Sequence, residues 1–227
     1  MEDKYKIITD IALSTKSKNP MNIAIEMMKN DLINMHGPEH HYLVVAALLA
    51  AYSNCTDIDL EKMLGEAAKR AQNVPGAICG LWGSCGAGIA SGIFISIITG
   101  TTGQSKEEWS QANKMTSISL DNISKNGGPR CCKRDSYLAI QSAVGYVKDV
   151  FGIEMEDSKD ITCQFYSKNP TCKLSDCIFY PDAKISKEKN NEQHFHNNQK
   201  PHTPSQTQSR YIRLRQILHR SHVHHGL

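Results

Sequence analysis

No Walker-type phosphate loop, no dinucleotide fingerprint and no G-x-S-x-G elbow occurs in these 227 residues. The one glycine-dense stretch, Ala77–Gly92, follows no strand pattern, which argues against a nucleotide cradle. No segment before residue 152 alternates as a strand does, so a sheet-based body is not expected. The opening Met-Glu-Asp-Lys-Tyr-Lys lacks the apolar run of an export signal, and the chain therefore reads as cytoplasmic. Charge is also missing: no Asp, Glu, Lys or Arg lies between Arg70 and Lys106. Ile78–Ile98 is long enough to span a bilayer. Its Cys79, Ser84, Cys85, Ser91, Ser96 and five glycines point instead to a tightly packed buried helix, so no membrane span is expected.

What is present is sulfur. Eight cysteines are many for this length, and in a reducing compartment they favour metal, cluster or redox chemistry over disulfides. The net charge of +3 is unevenly spread. Residues 184–227 carry eight Lys/Arg and two Asp/Glu, whereas 1–183 carry 18 and 21, a mildly acidic body with no nucleic-acid surface. The tail also holds seven of the ten histidines and little apolar mass, so 184–227 reads as a disordered, basic, His-rich tail.

The fold class expected is all-α. Helices are predicted over 3–15, from Pro20 to about Met35, from Pro38 to about Asn54, from Asp57 or Asp59 to Asn73, over Gly86–Ile98, from a Ser105–Glu108 capping box to about Lys125, and from near Pro129 to Gly152. The segment "EHHYLVVAALLAAYSN" is apolar nearly all round and should be central. A compact helical domain, 1–152, with Gly/Pro breaks would thus be followed by a Cys-rich segment, 153–183, and the tail.

Four motifs can carry chemistry. In "HGPEHH", His40 and His41 fall in a first helical turn, one facing inward and one outward, as acid/base groups, as ligands, or as a core group and a surface group. In "CGLWGSCGAG", Cys85 precedes a helix start whose N–H groups favour its thiolate, and Gly86 leaves backbone free to meet a ligand; the alternative is that Cys79 and Cys85 are small buried hydrophobes. In "GGPRCCKRD", Cys131 and Cys132 stand in another first turn beside Arg130, Lys133 and Arg134, a setting expected to lower thiol pKa and to bind an anionic group. In the last, Cys163-x8-Cys172-x4-Cys177, three cysteines in a loop without its own core imply an iron–sulfur cluster or zinc, completed by Cys131, Cys132 or a histidine.

In this order the four motifs resemble an uncharacterised cysteine-rich domain family of archaea and anaerobic bacteria, sometimes joined to radical-SAM or SAM-dependent methyltransferase modules. The resemblance covers roughly residues 20–182. It implies a radical-SAM or methyltransferase partner and assigns no chemistry to single residues. In style alone the chain is similar to iron–sulfur lyases of the serine dehydratase and cysteine desulfidase group. The functional expectation is an iron–sulfur or metal protein of an anaerobe with reactive thiols, acting in redox or sulfur transfer on a small molecule. The second reading is a zinc-stabilised accessory module. Both rest on three chain breaks aiming helix starts at one pocket.

Overall fold

The computed structural model describes residues 1–158 and 160–181; the tail expected over 184–227 lies outside them. The described residues contain helices and no strand. Eight α-helices run in order: α1 Glu2–Ser14, α2 Pro20–Lys29, α3 Glu39–Ser53, α4 Leu60–Gln72, α5 Ile78–Leu81, α6 Gly86–Ile98, α7 Glu107–Asn126 and α8 Cys132–Phe151. Two 3-10 turns, Tyr166–Lys168 and Leu174–Asp176, follow.

The hub is α3. From Glu39 to Ala51 every residue is buried, because the segment offers no polar face and must be surrounded. It packs against α1, α2, α4, α6 and α8. Side-chain oxygen caps set two of its neighbours. Asn19 Oδ1 accepts from the N–H groups of Met21 and Asn22 at the start of α2, and Asp59 Oδ1 accepts from Lys62 N at the start of α4.

Two expected boundaries move. The second helix stops at Lys29 rather than near Met35, because Asn30 leaves helical backbone and its Oδ1 accepts from Leu32 N, a local turn that competes with the helix. The Ser105–Glu108 box does not form: Ser105 Oγ is engaged with Thr102, and α7 starts after an uncapped Lys106. Residues 153–181 are not a separate lobe. Met155, Ile161, Phe165 and Phe179 enter the helical core, and Lys173 Nζ donates to Asn126 O at the end of α7.

The buried α6 lies against α7 through small residues. A Cβ on Gly88 would meet Leu120, and one on Gly92 would overlap Thr116 Oγ1 and press on Ala112 O. Buried Ser91 Oγ also donates to Ser119 Oγ at 2.8 Å. Among the described residues no helix is long and apolar enough to cross a membrane. Gly92→Val should lower unfolding stability by about 1–3 kcal/mol through overpacking. A urea titration that leaves the midpoint unchanged would show that α6 and α7 do not approach at this residue.

Candidate functional site

The chain breaks do meet. The starts of α3, α6 and α8 surround a chamber of about 60 Å³, bordered by His40, His41, Cys79, Cys85, Gly86, Arg130, Cys132 and Asp135. A wider depression of about 550 Å³ adjoins it and shares Cys79, Cys85, Arg130 and Asp135. Cys85 and Cys131 are the N-cap residues of α6 and α8, and neither side chain closes a capping hydrogen bond.

Both histidines are buried, contrary to one facing outward; His40 is 1 % exposed and His41 8 %. His40 Nδ1 lies 3.0 Å from Gly37 O and His41 Nδ1 lies 3.1 Å from Val74 O, so each ring donates Nδ1–H to a carbonyl. Burial lowers the pKa of both, His40's far below the ordinary value, and both are neutral. His40 Nε2 has no partner. His41 Nε2 lies so close over Gly86 that any Cβ there would overlap it. Gly86 is therefore glycine because the imidazole needs its place.

The expected direction of the thiol shifts is reversed. Burial first, then the Asp135 carboxylate, push Cys85 up to about 12, against the opposing field of the Ala87 and Gly88 N–H groups. Burial pushes Cys132 up to about 11 despite the Gly37 N–H. Cys131 and Cys163 are raised for the same leading reason. A helix start adds a partial charge, but loss of water from a thiolate is the larger effect at these depths. The thiols at rest are therefore protonated.

The cations are also placed differently from expectation. Arg134 is 4 % exposed; its Nε donates to Asp135 Oδ1 at 3.0 Å and its Nη2 to Pro129 O at 3.0 Å. Lys133 is 1 % exposed, and burial lowers its pKa to about 8. Its Nζ sits 4.9 Å from the Phe165 ring centroid and has no hydrogen-bond partner. Only Arg130 remains exposed for an anion, and no ion pair holds it among the described residues.

Cys131 and Cys132 part company. Cys132 borders the chamber, whereas Cys131 Sγ accepts from Asn169 Nδ2 at 3.8 Å on the side of the C-terminal segment. There Cys131, Cys172 and Cys177 are all close enough to Cys163 for their charges to raise its pKa further. Lys133 senses Cys131, Cys132 and Cys163, and Tyr137, its hydroxyl also unpartnered, senses Cys163, Cys131 and Cys177. Backbone N–H groups two residues onward point at two of these sulfurs: Phe165 N to Cys163 Sγ and Leu174 N to Cys172 Sγ, each 3.4 Å. The second turn holds Leu174 at φ 51°, a left-handed conformation costly for leucine. As placed, no three His, Cys, Asp or Glu side chains among the described residues stand together as a metal site.

Three participants were not singled out from sequence. Asp135 faces Cys85 Sγ at 3.8 Å and Cys131 N at 3.4 Å. His36 accepts from Cys132 N through Nδ1 at 3.4 Å, which leaves Nε2–H for Asn169 Oδ1 at 3.2 Å. Asn169 in turn accepts from Thr171 N and Thr171 Oγ1. An acid in the first turn of α8 was visible as a sequence signal, but the partners of His36 and Asn169 are 96 and 38 residues away.

Over the described residues the molecule is thus a cysteine-rich helical domain, with Cys85, Cys131 and Cys132 at helix starts and Cys163, Cys172 and Cys177 in the segment packed beside them. The chain belongs to DUF5714, a family of unknown function, which matches residues 8–180. No curated protein and no solved structure matches it.

The lowered histidines have a consequence for stability. The unfolded chain binds protons on them below about pH 6.5 while the folded chain does not, so stability falls as pH drops through that window. In urea titrations between pH 6.5 and 5.5, His41→Gln should lose less stability than the wild type. Equal losses would mean that His41 is charged in the fold.

Proposed function

We propose that the chain is a metal or iron–sulfur protein whose centre is held by Cys131, Cys163, Cys172 and Cys177, beside a separate chamber for small-molecule chemistry. The observation that carries this reading is the set of donors around those sulfurs. Lys133 Nζ and Tyr137 OH are buried, have no acceptor, and lie within electrostatic reach of the thiols. Buried donors of this kind are seldom left unpaired. Thiolates, or the sulfides of a cluster, would give them acceptors. Phe165 N, Leu174 N and Asn169 Nδ2 already face three of the four sulfurs. Donors to ligand sulfur orient it and tune the centre it binds.

Charge supports the same reading. Metal binding strips protons from thiols, and with the thiols protonated the buried ammonium has only the Glu39 carboxylate as an opposing charge. The Lys133 cation among them offsets the negative charge a thiolate centre would bring. Cys132, His40 and His41, other candidates for the fourth ligand, border the chamber instead, and Cys131 is the ligand proposed to complete the set.

Iron–sulfur favours redox or sulfur transfer in the reducing cytoplasm of an anaerobe. Zinc favours an accessory module for a radical-SAM or methyltransferase partner. Four thiol ligands with no open position are what a structural zinc site uses, and the docking of residues 153–181 onto the helical core suits one. Purification without oxygen followed by iron, sulfide and zinc analysis decides between them. The expected result is one centre per chain, brown with charge-transfer absorption for a cluster and colourless for zinc. Cys172→Ala should lose the centre and Cys85→Ala should keep it. A folded, metal-free wild-type chain that takes up neither metal under reducing conditions overturns the proposal.

A further inference from the structure

The chamber and the depression beside it do not belong to the four-thiol centre, and their electrostatics say what they accept. The charged side chains that line either are Arg130, Arg134 and Asp135. Arg134 and Asp135 cancel as a buried pair at 3.0 Å. Burial keeps His40 and His41 neutral, and Cys85 protonated. One positive charge is left, on exposed Arg130, at the rim common to both cavities.

The space has a matching shape. A volume near 550 Å³ falls within the range of small-molecule sites, and 60 Å³ is well above the roughly 10–15 Å³ that one water needs. Part of the wider wall is Gly80 and Gly128, where a Cβ would meet no protein atom and φ is not left-handed. At Gly80 neither packing nor a left-handed backbone calls for glycine, whereas close approach of a ligand does; Gly128 precedes the cis peptide to Pro129. Beyond Arg130 at the rim, the inner chamber is walled by Pro38, Ile78, Ala87, neutral polar groups and the Asp135 carboxylate, a poor place for a second anionic charge. His40 Nε2, buried and unpartnered, belongs to a residue of this wall.

We infer that the two cavities form one binding site for a small organic carboxylate, whose anionic group pairs with Arg130 while a short uncharged part enters the inner chamber beside Cys85, Cys132 and His41. The guanidinium fork matches a carboxylate with two parallel hydrogen bonds, so Arg130 fixes orientation as well as charge. The site does not depend on the four-thiol centre, and its test reads different cysteines.

Iodoacetate and iodoacetamide carry the same electrophile with and without a carboxylate. Peptide mass spectrometry of the full chain, as purified, gives the ratio of their labelling rates at each cysteine. Cys79 and Cys85 border both cavities, and Cys55, at the end of α3, serves as the internal reference. The iodoacetate-to-iodoacetamide ratio at Cys79 and Cys85 should exceed that at Cys55 by about tenfold, the worth of one charge-assisted pair. Arg130→Gln should bring it down to the Cys55 value with circular dichroism unchanged, since Arg130 is exposed and unpaired. Butyrate should protect Cys79 and Cys85 from iodoacetamide in the wild type only. A ratio equal to that at Cys55, or one unchanged in Arg130→Gln, overturns the site. Protection by inorganic phosphate but not by butyrate overturns the carboxylate assignment.

Discussion

Burying the first turn of α8 sets the terms for everything around it. Lys133, Arg134, Asp135 and Ser136 are all under 5 % exposed. A charge removed from water costs several kcal/mol unless something compensates it. Arg134 and Asp135 compensate one another. Lys133 has the face of Phe165, the thiols near it and the Glu39 carboxylate. The same burial raises the thiols beside this turn, and Phe165 of the docked segment 153–181 supplies the face that Lys133 meets.

The same turn explains why adjacent cysteines serve different sides. Successive side chains on a helix point about 100° apart. Cys131, the N-cap, is directed at the C-terminal segment and Cys132 at the chamber. Their shared peptide is the partition between the two. His36 reinforces it, since Cys132 N and Asn169 Oδ1 are bridged through its two ring nitrogens. A vicinal pair that looks like one reactive unit is in this fold a wall with a sulfur on each face.

Much of this could be read from residue order. The central apolar helix, the Asp59 cap, the buried Gly86–Ile98 helix and the convergence of helix starts follow from periodicity, capping residues and glycine or proline breaks. Local rules fell short where depth decides. Helix starts and cations near Cys85, Cys131 and Cys132 were expected to lower thiol pKa, yet desolvation, a property of the assembled core, is the larger effect. Lys133 and Arg134 looked like anion binders because sequence shows sign but not burial. Ser105 chose Thr102 over a capping box, a competition between two local hydrogen bonds that spacing cannot rank. Asn169 and His36 act across long chain separations, and no local pattern marks them.

A protonated thiol is a poor nucleophile, so at rest the chamber is chemically quiet. Three influences on Cys85 show what would change that. Burial and the Asp135 carboxylate hold its proton on, and the Ala87 and Gly88 N–H groups oppose them. The backbone is fixed and burial changes only with the fold. The adjustable influence is Asp135, whose charge is already offset by Arg134 on one oxygen while the other faces Cys85 Sγ at 3.8 Å. Burial raises the pKa of Asp135 itself, which makes it a better proton acceptor than an exposed carboxylate. Proton transfer from Cys85 to Asp135 is uphill all the same, since the thiol is pushed up to about 12 while Asp135 starts from the ordinary carboxylate range. Thiol and carboxylate therefore form one hydrogen-bonded unit in which the proton rests on Cys85, and the Asp135 charge is one of the influences that keep it there.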